Sequence, residues 1–336
     1  MANNYCESFG IDQKTEILEF FDNNGFVVIN NVFSSDECKQ IFNHVGSIMT
    51  KLEPIFNIND YSTYDSISPF MNNFGMISKG PNFDNTFLSM RQNKNIYDIG
   101  KIFINDFVVS HDRFIFYRPT KNIIINGEIL DKPEWSTFYK YPGLHLDMDP
   151  RLYQEDKQNI SIIKSLRETV TYDNGSGFVS EGHIYNKSEG VQLQGMLNII
   201  NNFEDDGGFM CVPGFNLQFD AWYKQKVQNG EDQIFYKDMG KYSFNELSKT
   251  DMKYIYNMKR ITARAGSIIL WDRRMAHTGK INISGRPRLG IPIAFTSKST
   301  LTENMRHDRR NFLKKIISKN NFEVTDTGKN VFDLLS

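Results

Sequence analysis

No stretch of this sequence approaches the roughly 18–20 consecutive apolar residues of a membrane-spanning helix. Met1 to Ser8 has no basic segment leading into an apolar one, so it does not read as a secretory signal. Cysteine is scarce. Cys6, Cys38 and Cys211 are widely spaced, and no Cys-x-x-Cys or Cys/His cluster occurs, which argues against a disulfide framework and a structural zinc site. A reducing, cytoplasmic setting is the expectation. An excess of charge is also missing: 39 basic and 40 acidic residues leave a net −1, so no global field would recruit nucleic acid or an anionic membrane. Neither a 20–50-residue repeat nor a low-complexity linker is found. What is present is ordinary globular material, 40% hydrophobic and 24% charged, with 27 Phe and 15 Tyr to fill a core.

The spacing predicts a short helix over 13–22, stopped by Asn23-Asn24-Gly25, then a strand at Phe26-Val-Val-Ile29. Ser34 or Ser35 caps a second helix with an apolar stripe of Cys38, Ile41, Phe42 and Val45. Beyond about residue 110 the texture becomes short β-like runs: Arg113–Tyr117, Trp135–Tyr139, Val191–Ile200, Gly208–Val212, Arg260–Thr262, Ser267–Trp271 and Leu289–Phe295. Two polar stretches, near 150–190 and 217–258, read as lids or peripheral decorations. The tail from Thr302 to about Ser318 reads as a helix with Phe312, Ile316 and Ile317 on its apolar face. The expected class is mainly β with flanking helices, in one domain over 1–336. Within it, 12–110 would be helix-rich support, 111–300 a sandwich or barrel core, and 301–336 a helical tail.

Six histidines are available, and only His145 is followed two positions later by a carboxylate, Asp147. Alternate residues of an extended chain project to one side, so this pair could converge on one metal. A loop histidine beside a solvated aspartate is the competing reading. A second element, Ala265-Gly-Ser-Ile-Ile-Leu-Trp-Asp272, leads through Arg273-Arg274 to His277, with Arg286 and Arg288 beyond. Two histidines and one carboxylate leave three adjacent positions open on a metal, the pattern of non-haem Fe(II) oxygenases. A guanidinium eleven residues past His277 could grip the far end of a dicarboxylate held there.

Four stretches together resemble the phytanoyl-CoA dioxygenase family of Fe(II)/2-oxoglutarate-dependent oxygenases. They are Phe21–Ile29 with Val32–Glu37, Gly143-Leu-His145-Leu-Asp147, Asp206–Asn216, and Ala265–Asp272 through His277, Asn282, Ser284 and Arg288. The resemblance implies a double-stranded β-helix (jelly-roll, cupin-like) core. It implies Fe(II) on His145, Asp147 and His277, with 2-oxoglutarate and O2 as cosubstrates and Arg288 pairing with the 2-oxoglutarate carboxylate. Arg286, two residues earlier, is the register alternative. Tyr139, Gln194 and Asn198 are the further candidates for cosubstrate contact, Gln194 sharing a strand face with Gln192. Trp135, Thr137 and Tyr141 could line the pocket or fill the core; Trp271 reads as core. Arg273 and Arg274 could attract an anionic substrate or simply form a solvated turn. Where relatives read Pro-Gly-Ser-His, this chain has Pro213-Gly-Phe-Asn216, which bears on substrate rather than on the metal. The expected reaction is hydroxylation of a small molecule with release of succinate and CO2. A cupin-like metalloenzyme without 2-oxoglutarate and a catalytically silent binding protein are the alternatives.

Overall fold

Period-two alternation in the strands places a cavity on one side of a sheet and helices on the other. The computed structural model describes residues 5–77, 79–137, 143–154, 157–231, 242–244 and 246–335. One sheet runs in the order β1 (Phe26–Ile29), β11 (Ile268–Asp272), β7 (Leu193–Asn198), β13 (Arg288–Ser297) and β2 (Phe107–Val109), with β3 (Ile115–Tyr117) also paired to β13. A second sheet has the order β10 (Lys259–Arg260), β8 (Gly208–Cys211), β12 (His277–Lys280), β6 (His145–Leu146) and β9 (Tyr242–Ser243). The pairings in both sheets are antiparallel. β4 (Ile123–Ile125) and β5 (Glu128–Leu130) form a separate hairpin. Asn126 and Gly127 turn it with positive φ at both residues, the conformation that Asn-Gly favours, and this is a legible signal that sequence reading passed over.

In β1 and β11, Val27, Ile29, Ile268 and Leu270 join a core cluster with the flanking helices. Their alternates Phe26, Val28, Ile269 and Trp271 join a second cluster with β8. The first cluster takes in α1 (Lys14–Asn24), α2 (Ser35–Leu52), α3 (Asn85–Arg91) and α4 (Lys94–Phe103), together with α9 (Glu303–Lys319) and α10 (Asp326–Val331). The expected capping of α2 is present in full: Ser34 accepts from the Glu37 amide while Glu37 accepts from the Ser34 amide. The architecture is thus a mixed helix and strand fold with antiparallel sheets. The 12–110 segment contributes two of the strands, β1 and β2.

Several expectations need correction. Trp135 ends a short 3-10 helix, Pro133–Trp135, and not a strand; Pro133 at its start disfavours ladder pairing. The 150–190 stretch carries α5 (Lys157–Glu168) and α6 (Gly177–Ser180), and it is anchored inside the protein. Glu181 accepts from Tyr172 and pairs with Arg309 of α9 at 2.9 Å, with both charged side chains fully buried. The 217–258 stretch holds most of α7 (Phe215–Gln228) and all of α8 (Lys249–Tyr256). Phe215, Phe219, Trp222 and Lys226 make one buried stripe on α7, a helical period diluted by the polar residues between them. Lys226 meets Asp251 of α8 at 3.1 Å, both fully buried. In α9 the residues buried deepest are Met305, Arg309 and Leu313, while Phe312, Ile316 and Ile317 pack at the margin.

Asp333, after α10, ties the tail down by accepting from Arg306 Nε and Nη2 and from Arg310. Burial alone would raise its carboxyl pKa. Hydrogen bonds from Arg306, and the charges of Arg306 and Lys298, outweigh that and hold it below the usual carboxylate range. A carboxyl depressed in the folded state stabilises at pH above its unfolded value of about 3.9 and loses that contribution as pH falls through the folded value. Asp333→Asn should therefore be less stable than wild type in urea unfolding at pH 7, and the gap should shrink below about pH 4. A gap independent of pH would contradict this assignment.

Candidate active site

The side chains that converge come from strand ends of the second sheet. His277 opens β12 and pairs in register with His145 of β6 on one side and Cys211 of β8 on the other. Asp147 follows His145 by two residues and returns to the same side. The three offer ligand atoms within 4.8 Å of one another, with His145 Nε2 at 3.7 Å and His277 Nε2 at 3.6 Å from the Asp147 carboxylate. The Nδ1 of His145 lies 2.7 Å from the Gly143 carbonyl, and that of His277 lies 2.9 Å from the Met275 carbonyl. A carbonyl only accepts, so both Nδ1 atoms carry the proton, which makes Nε2 the metal-donor atom of each ring. Two neutral imidazoles and one carboxylate fit a divalent first-row metal with open positions remaining.

The group stands in a cavity of about 550 Å³ lined from both sheets. Gln194 of β7 lines it as well. Its Nε2 donates to Asp147 Oδ2 at 2.8 Å, while its Oε1 accepts from Trp271 Nε1 at 3.1 Å. An indole nitrogen only donates, which fixes the amide's orientation and turns its NH2 onto the ligand carboxylate. Gln194 therefore orients Asp147 from the cavity wall. Trp271 is buried but also faces the cavity, stacked on Phe209 with centroids 4.2 Å apart.

Arg288 and Arg286 part company. Arg288, the first residue of β13, is buried and lines the cavity. Its guanidinium stands 4.8 Å over the Tyr117 ring, and its Nε has no hydrogen-bond partner among the described residues. Arg286 precedes the strand and is largely exposed, pairing with Asp206 at 2.8 Å. The two-residue spacing does not place them on one face, because the strand begins only at 288. Asn198 is buried, but it is not among the cavity-lining residues; its amide is turned to the carbonyls of Met196 and Ser267. Tyr139 and Tyr141 lie outside the described residues. Trp135 and Thr137 are buried away from the cavity, and Trp135 donates to Asp65. Arg274 is clasped by Asp272, with Nη2 to Oδ2 at 2.6 Å. Arg273 is no solvated turn residue: it is buried and lines the cavity. Phe178, Val179 and His183, from the stretch read as a lid, line it too, unmarked by any local motif.

Fold and site define a protein that carries a two-histidine, one-carboxylate face at a cavity between two antiparallel sheets. No family model matches the chain. A protein of Dictyostelium discoideum named "Putative phytanoyl-CoA dioxygenase" is 32% identical over 314 residues, which is 92% of this chain and 82% of that protein. The chain belongs to the phytanoyl-CoA dioxygenase family. Among solved structures, GlcNAc Inducible Gene 2, GIG2 (DUF1479), from Candida albicans is similar with a TM-score of 0.60 at 16% identity, covering 93% of this chain and 71% of that one. The epimerase SnoN, solved with Fe3+, alpha ketoglutarate and nogalamycin RO, is similar with a TM-score of 0.50 at 10% identity, covering 85% and 84%. At those identities the likeness speaks to the fold alone. Among the described residues, no helix is long and apolar enough to cross a membrane.

Proposed function

We propose that this chain is an Fe(II)- and 2-oxoglutarate-dependent dioxygenase that hydroxylates a C–H bond of a small-molecule substrate. The observation that carries the reading is one cavity lined by two imidazoles and a carboxylate whose ligand atoms converge, and by a buried arginine whose Nε is unpartnered among the described residues. His145, Asp147 and His277 would hold the metal, and Arg288 would pair with the distal carboxylate of 2-oxoglutarate. Bound there, iron and 2-oxoglutarate supply oxygen activation coupled to oxidative decarboxylation, giving succinate, CO2 and an oxidant strong enough to take hydrogen from carbon. The two sheets are taken as the double-stranded β-helix of this family, and 1–336 as one oxygenase domain. The free state of Cys6, Cys38 and Cys211 suits an intracellular setting.

The chain's own residues bind, aim and keep dry. The carbonyls of Gly143 and Met275 fix the histidine tautomers, and Gln194 fixes the carboxylate. Met76, Ile115, Phe178 and Val179 supply apolar wall that displaces water around the reacting carbon. In the aerobic assay, protein with Fe(II) and 2-oxoglutarate should release succinate, abolished by a chelator and by Asp147→Ala. No succinate with Fe(II), and none with any candidate substrate added, would leave the metalloenzyme or silent-binder alternatives. Gln194→Leu keeps the ligands but releases Asp147, so Fe(II) affinity should fall by about 10–100-fold. An unchanged affinity, read by chelator competition, would remove Gln194 from that role.

A further inference from the structure

The cavity that holds the three ligands contains a second unsatisfied guanidinium. Arg273 is 1% exposed, and its Nε and Nη1 are buried with no hydrogen-bond partner among the described residues. Nearby carboxylates are engaged elsewhere: Glu181 with Arg309 and Tyr172, Asp272 with Arg274, and Asp147 with Gln194. Asp147 and Glu181 lie near enough to favour the Arg273 charge, yet neither bonds its Nε or Nη1; a cation withdrawn from water without direct partners is costly, and an anion in the cavity beside it offsets that cost. The segment after α6 closes directly over this group: a Cβ at Gly182 would collide with Arg273 Nη2 and push the guanidinium aside. Phe178 and Val179 of that same segment add apolar wall.

Register separates Arg273 from Arg288. The Arg273 amide donates to the Gln192 carbonyl, while the Arg288 guanidinium reaches along its strand to Gly290, where an added Cβ would stand 3.3 Å from Nη2, and Gly290 pairs with Asn198. Six residues of strand separate those two levels, about 20 Å. Gln194, bonded to Asp147, lies between them. A single five-carbon diacid cannot occupy both guanidiniums, so the cavity presents one cation on each side of the metal-ligand group.

We propose that Arg273 binds an anionic group of the substrate, and that the substrate is a small molecule bearing a carboxylate or phosphate on an apolar body. This rests on the oxygenase reading above and names its substrate class. Gln194 is only two strand residues from Gln192, about 7 Å, so the carbon that reacts lies within a few bonds of the anion.

The test titrates octanoate, octyl phosphate and octanol into protein loaded with Mn(II) and 2-oxoglutarate, wild type and Arg273→Met, by calorimetry. At least one anion should bind wild type at least tenfold more tightly than octanol, and the preference should vanish in the variant; which anion wins distinguishes carboxylate from phosphate. Equal binding of all three to wild type, or a preference retained in the variant, overturns the proposal. 2-Oxoglutarate is titrated first. Failure of wild type to bind it sinks the oxygenase reading, whereas 2-oxoglutarate binding without anion preference sinks the Arg273 assignment alone. Melting provides a second measurement. An unpartnered buried charge predicts that Arg273→Met melts a few degrees above wild type without ligand, while a lower melting temperature or loss of folding shows a structural guanidinium and overturns the proposal.

Discussion

Arg288→Met is expected to raise the dissociation constant for 2-oxoglutarate about 10²–10³-fold. Removing one partner of a buried charge pair costs about 3–5 kcal/mol, and every 1.4 kcal/mol is tenfold. Arg288 is buried at the cavity wall and leans on Tyr117, so its guanidinium meets an incoming carboxylate with little water between them. Arg286→Met is the internal control, because that side chain faces outward against Asp206 and Phe203. Calorimetric titration with Mn(II)-loaded protein should leave the Arg286 variant within about threefold of wild type. A large loss in the Arg286 variant with none in Arg288 would reverse the assignment.

His277→Ala and His145→Ala should each weaken Fe(II) binding on the order of 10²–10³-fold. Structural metal sites with four ligands are worth roughly 10–16 kcal/mol, so each ligand carries a few kcal/mol. His183 supplies the comparison. It lines the same cavity but stands outside the three-residue group, so His183→Ala should leave Fe(II) affinity near the wild-type value. Anaerobic competition with a chromogenic chelator reads all three. Metal affinity unchanged in both His145 and His277 variants would break the ligand set.

Much of the site was legible because its chemistry is carried by residue type and short spacing. His145-Leu-Asp147 announces convergence through the period of an extended chain, and the structure places His277 beside it by direct strand pairing. The strand containing His277 was not legible. His277-Thr-Gly-Lys280 has neither alternation nor β-branched density, and it is extended because β8 and β6 pair with it on both sides. The stretches read as polar insertions were misjudged for a related reason. Their helices bury a thin stripe, as in α7, and average polarity hides a stripe.

The amino-acid sequence by itself determined the His145-x-Asp147 pair as a candidate donor unit and the capping of α2, because each is written within a few consecutive residues. Tertiary structure alone decided which arginine enters the cavity, that Gln194 bonds Asp147, and that Arg273 is buried with Nε and Nη1 unpartnered among the described residues. Those outcomes depend on where β13 starts and on how β7 and β11 are aligned, and strands some eighty residues apart in the chain set that register through pairing that no local pattern encodes.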